Sequence, residues 1–118
     1  MAIQIRSHLT ATPNPTSLPR RIDFHQTLRS NMSNEQVVLT FQMDPGHNVW
    51  FRDGDGKPAK TVQRTVQVSQ ADQPELIRIT LQTGPGDGPM ASVEIDQTVT
   101  DSAGIKIPDS CVLGITGN

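Results

Sequence analysis

The sequence predicts an all-β chain folded as a two-sheet antiparallel sandwich of about eight short strands. Three observations carry that expectation. Apolar residues recur at every second position in short runs, clusters of Gly, Pro, Asn and Asp separate the runs, and the apolar residues are mostly Val, Ile and Leu. Period two is the signature of a half-buried strand, the separators are turn formers, and branched aliphatic side chains fit a pleated surface.

Taken in order, Ile3, Ile5, Leu9 and Ala11 share one face of an opening strand. Thr12-Pro13-Asn14-Pro15 ends it, because two prolines withdraw N–H donors and hold the chain extended. Ile22, Phe24 and Leu28 share the next apolar face, with Asp23, His25, Thr27 and Arg29 opposite. A polar turn follows at Asn31 to Asn34. Ser33-Asn34-Glu35-Gln36 carries the letters of a helix capping box, but a period-two, β-branched run follows, so it reads as a turn entering a strand. Val37, Leu39, Phe41 and Met43 alternate up to the turn signal Asp44-Pro45-Gly46.

Val49-Trp50-Phe51 is a brief apolar strand closed by Asp53-Gly54-Asp55-Gly56-Lys57-Pro58. Val62, Val66 and Val68 share a face that Arg64 interrupts, and Ile77, Ile79 and Leu81 follow Asp72-Gln73-Pro74. The strongest break is Gly84-Pro85-Gly86-Asp87-Gly88-Pro89, where glycines open unusual backbone angles and prolines stop strand pairing. Val93 and Ile95 resume the alternation, and Ile105, Ile107, Val112 and Ile115 close the chain.

A length of 118 residues suits a single sandwich domain over 1–118, with 102–118 as a C-terminal extension or extra strand. The hydrophobic fraction is 34%, with one Trp, three Phe and no Tyr, so the core is expected to be aliphatic. Ten basic against twelve acidic residues, a net charge of -2, argues against a nucleic-acid binder and a polybasic membrane anchor. The single cysteine, Cys111, excludes an intramolecular disulfide and a multi-cysteine zinc site. It is expected to be a small buried apolar residue near a C-terminal strand, with an intermolecular bridge or reactive thiol as the alternative. The segment Met1 to Arg6 lacks the apolar run of a signal peptide and no stretch could span a membrane. The expectation is a cytoplasmic chain, one released without a cleaved signal, or a mature domain behind a new Met.

The layout resembles bacterial immunoglobulin-like and fibronectin III-like sandwich domains. The residues that carry the resemblance are Thr12-Pro13-Asn14-Pro15 at a strand end, the strands Arg21 to Leu28 and Val37 to Phe41, and the Asp53-Gly54-Asp55-Gly56-Lys57-Pro58 connector. The paired runs Thr61 to Ser69 and Leu76 to Thr83 complete it. It covers about residues 1–100 as a rhythm of strands, and departs at Trp50 and in the tail from Ser102. It implies a spacer, adhesion or binding module rather than an enzyme.

Candidate sites are few. Asp53 and Asp55, at alternate positions beside Gly54 and Gly56, resemble the start of a calcium loop. Lys57 and Arg64 then stand where the fifth and twelfth ligands belong, so the alternatives are a plain hairpin turn or a site recruiting Asp44 or Asp87. Asp23 and His25 share one wet strand face and could serve acid–base chemistry with a further partner, whereas His8 and His47 stand alone. No Ser lies in a nucleophile elbow, and no glycine-rich phosphate cradle precedes a helix. Trp50 alternates against Val49 and Phe51 and is the candidate exposed anchor, with a core position as its alternative. Asn31-Met32-Ser33 fits a glycosylation sequon.

The function expected is therefore a non-enzymatic binding or structural module contacting another protein or a second copy through loops or an edge strand. A ligand- or calcium-binding sandwich of carbohydrate-binding type, using Trp50, Asp53 and Asp55, is the alternative. No catalytic residue, metal site or cofactor is assigned.

Overall fold

The computed structural model describes residues 3–84 and 91–116. Most of the Gly84 to Pro89 break, and with it Asp87, lies outside the described residues. Among the described residues nine strands make up the fold: β1 Ile3–Thr12, β2 Arg20–Ser30, β3 Glu35–Gln42, β4 Val49–Arg52, β5 Pro58–Ala59, β6 Thr61–Val68, β7 Gln73–Thr83, β8 Ser92–Thr100 and β9 Lys106–Gly114. They form a five-stranded sheet, β1-β2-β7-β4-β5, and a four-stranded sheet, β6-β3-β8-β9, with every strand pairing antiparallel. The described residues hold strands rather than helices, so no helix is long and apolar enough to cross a membrane.

The expected alternation is what builds the core. Ile22, Phe24, Leu28, Val37, Leu39, Phe41, Val49, Phe51, Ile79, Leu81, Ile95 and Leu113 are buried between the sheets. Phe24 and Phe41 meet across the sandwich with ring centroids 5.2 Å apart. The other core members are almost all aliphatic, so the sheets are joined by interdigitating branched side chains.

Two details differ from the sequence expectation, and of the two alternatives for the tail the fold takes the extra strand. The strand count is nine rather than about eight, because Pro58–Ala59 pairs with Phe51 and Arg52 to close a hairpin over the Asp53–Lys57 turn. Several strands are long: β1, β2 and β7 run 10, 11 and 11 residues. The tail supplies β9, which pairs with β8 from Ser92↔Gly114 to Thr100↔Lys106 and sets Leu113 in the core.

Strand β1 also hides two register shifts against β2, between Ile5 and Ser7 and between Ser7 and Thr10. Each shift inserts one residue and reverses which face a side chain takes, so two of them restore the original parity. Ile3, Leu9 and Ala11 therefore all reach the core despite the irregularity between them.

Candidate functional site

Trp50 sits on the outer face of β4, between buried Val49 and Phe51, and is itself half-buried. The Lys60 ammonium lies 4.1 Å from the centroid of its ring. That ammonium donates hydrogen bonds to the carbonyls of His47 (2.5 Å) and Val49 (2.6 Å). Burial pulls the Lys60 pKa below its ordinary value, against the opposing charge of Asp44. The Cδ1–Nε1 edge of the indole rests on Gly84, where an added Cβ would come within 2.6 Å of Trp50 Nε1. The ring is thus a clamp between a cation and a backbone, and little of it remains as a stacking platform.

Asp53 closes the β4–β5 turn on itself. Its Oδ1 accepts the N–H groups of Asp55 (2.9 Å) and Lys57 (3.0 Å), and its own N–H donates to the Lys57 carbonyl at 2.9 Å. Gly56 completes the turn at φ +79°, an angle open to glycine. Asp55 is exposed at its tip. Trp50 and Asp53 engage separate partners, the first Lys60 and Gly84, the second its own turn.

Asp23 and His25 share the outer face of β2 as expected but turn apart. Asp23 Oδ1 faces Arg78 Nε at 3.6 Å, whereas His25 Nε2 meets the Thr12 hydroxyl at 2.9 Å. His8 Nδ1 lies 3.3 Å from Asp109 Oδ1. Cys111 is half-buried, and burial, then the charges of Asp109 and Asp96, push its thiol up to about 12. A thiol so high holds little thiolate near neutral pH and is a poor nucleophile.

A shallow cleft of about 630 Å³ gathers Gln42, Met43, Asp44, Pro45, His47, Glu94 and Asp96. Asp44 Oδ1 accepts the Gly46 N–H at 2.7 Å, and Asp44 Oδ2 lies 3.9 Å from His47 Nε2. A hydrogen bond to Asp96, and its charge, raise the Glu94 pKa. Both carboxyls of that pair are on the wet face of β8, where water screens their repulsion. Among the described residues, no group of three or more His, Cys, Asp or Glu is placed to hold a metal ion.

The feature that the sandwich leaves chemically unfinished is an edge. Of the four edge strands among the described residues, β1 is bulged and has its Leu9 N–H capped by Asp109 Oδ2 at 2.8 Å. Strand β5 is two residues long and begins with Pro58. Strand β9 contains Pro108, and its end is covered by Asn14 and Thr16, which bond to the Val112 carbonyl and to both backbone groups of Gly114. Strand β6 has none of these devices. It pairs with β3 in unbroken register from Glu35↔Val68 to Gln42↔Thr61, and its sequence Thr61-Val62-Gln63-Arg64-Thr65-Val66-Gln67-Val68 has no proline and one charge. That charge, Arg64, folds back to donate to the Gln63 carbonyl at 2.8 Å.

No protein-family model matches the chain, and no curated protein matches it. Among solved structures it is similar to a FixG-related protein from Vibrio parahaemolyticus, at 12% identity and a TM-score of 0.60 over 99% of both chains. It is also similar to part of the alkylpurine DNA glycosylase AlkC of Pseudomonas fluorescens, solved bound to DNA containing an abasic-site analogue. There the identity is 16% and the TM-score 0.56, over 98% of this chain and 31% of that one. The sporulation control protein Spo0M of Bacillus subtilis is similar at 9% identity and a TM-score of 0.54, over 51% of its length. At these identities the likeness concerns the two-sheet fold.

Proposed function

We propose that the chain is a non-enzymatic, immunoglobulin-like binding or structural module that holds another protein chain by accepting an extended strand along β6. One observation carries this: among the described edge strands, β6 alone presents eight residues of regular, proline-free, nearly uncharged backbone. An edge of that kind offers a row of N–H and C=O groups to an incoming strand, and main-chain pairing supplies affinity with little demand on side-chain chemistry.

Two further features support the reading. The strand order β1-β2-β7-β4 facing β3-β8-β9, with β5 and β6 as additional edge strands, supports the immunoglobulin-like part of this reading. The outer face beside β6 is a shallow surface of Val38, Thr40, Gln42, Gln63, Thr98, Thr100 and Lys106, whose one charge stands on β9 at the opposite edge of the sheet.

Selection of a random-peptide library against the chain tests this, with Thr65→Lys as the control. Enriched peptides are expected to protect the amides of 61–68 from hydrogen exchange and to lose affinity for the Lys variant. Enriched peptides that protect another edge, or bind both proteins equally, contradict it.

A further inference from the structure

We infer that the strand fitting the β6 edge is β6 of a second copy, paired antiparallel about a two-fold axis through Thr65. This self-pairing presupposes the open edge proposed above and adds the partner and the register.

The first support is the strand's own sequence. Directly opposite residues of an antiparallel pair face the same side, so two copies of one strand meet only in registers that keep even positions against even. Centred on Thr65, the pairing sets Thr65 against Thr65, Gln63 against Gln67 and Val62 against Val68, with Arg64 opposite Val66. The exposed face becomes a ladder of hydroxyl and amide pairs, and the inward face holds two Val62–Val68 pairs outside two Arg64–Val66 pairs. Centring on Arg64 would set two guanidinium groups face to face, and centring on Val66 would set Arg64 against the buried Val68.

The second support is the outline of the molecule. At the Thr61 end of β6, Lys60 ties the chain to β4, and the β4–β5 hairpin extends the five-stranded sheet beyond β7. At the Val68 end the outline is reversed. Strand β4 pairs only with Leu81 to Thr83, so β7 has no strand beyond it over 73–80 among the described residues. A two-fold axis through Thr65 brings the overhanging hairpin of one copy to the open flank of the other, so each projection meets a recess.

Sedimentation velocity from micromolar to millimolar concentration tests the inference with Thr65→Lys and Thr65→Glu, both at an exposed position. The unchanged chain is expected to dimerise reversibly. Each variant alone sets like charges opposite on the axis and weakens dimerisation by roughly twofold to fivefold. An equimolar mixture of the two restores it, which also shows that both variants are folded. A chain that stays monomeric at millimolar concentration overturns the inference, as do variants that dimerise unchanged or a mixture no better than either alone. Library peptides that protect β6 in a strictly monomeric chain would remove the second copy as occupant while leaving the open edge standing.

Discussion

Glu35 and Glu75 occupy inward positions of β3 and β7, and the fold treats them oppositely. Burial pushes the Glu35 carboxyl up, but hydrogen bonds from the Ser30 hydroxyl (2.6 Å) and from the Ser102 N–H and hydroxyl (2.9 and 2.8 Å) outweigh it and hold the group below its ordinary value. Burial alone raises Glu75. The stabilisation from Glu35 is complete above the ordinary carboxylate pKa and is lost as pH falls through its lowered folded value. The penalty from Glu75 is absent below the ordinary value, grows as pH rises from there toward its raised folded value, and is complete above it. Urea melts at neutral pH should show Glu35→Gln destabilised by about 1–3 kcal/mol and Glu75→Gln stabilised. Well below about pH 4 both differences should shrink. A Glu75→Gln variant less stable at neutral pH would show that its carboxylate has a partner.

A buried amide pair crosses between the sheets. Gln26 on β2 and Gln97 on β8 exchange hydrogen bonds of 2.6 and 2.9 Å, and Gln26 Nε2 also donates to Asp109 Oδ2 at 3.0 Å. Either single change to Leu should cost about 1–3 kcal/mol by leaving the other amide unpaired in a dry core. The double change should cost less than the two singles added together, and strict additivity in the melts would show that the pair is not coupled.

At the scale of elements, Asp109 is the bolt that closes β1 onto β9. It receives the Leu9 N–H and the Gln26 amide from the other sheet, and its side chain is 7% exposed. Asp109→Ala should destabilise the fold by about 1–3 kcal/mol and release β1 to faster amide exchange ahead of β3 and β8. Uniform acceleration across all strands would contradict a local closure. The strands themselves were legible because aliphatic residues at period two have one way to be buried. The β1 bulges were not, since paired insertions cancel in the pattern. Strand β5 was not, because two residues containing a proline carry no periodicity. Glu35, Gln26, Gln97, Glu75 and Asp109 each stood at an inward position among apolar neighbours, and that parity was the available signal of a buried polar network. The clamp on Trp50 was not readable, because Lys60 and Gly84 reach it through the fold rather than through sequence neighbours.

Across the whole molecule the sandwich is elongated, 46 × 23 × 20 Å with a radius of gyration of 14.7 Å, so its edge strands are long relative to its width. One long side is closed by β1 and β9, and the other is open at β6 and the flank of β7. Net charge conceals a second asymmetry. Arg6, Arg20, Arg21, Arg29, Arg52 and Arg78 all belong to the five-stranded sheet, whereas Glu94 and Asp96 lie on the outer face of the other. Composition averages over both faces, which is why it could bound partners without placing them. Amide hydrogen exchange along the four edge strands, in the dilute chain and with an added peptide of the β6 sequence 61–68, tests the open edge most directly. The outward amides of β6 should exchange faster than those of β1 and β9 in the dilute chain and become protected when the peptide is added. Protection of β6 equal to that of β1 and β9 in the dilute chain, or peptide-induced protection at another edge, would contradict it.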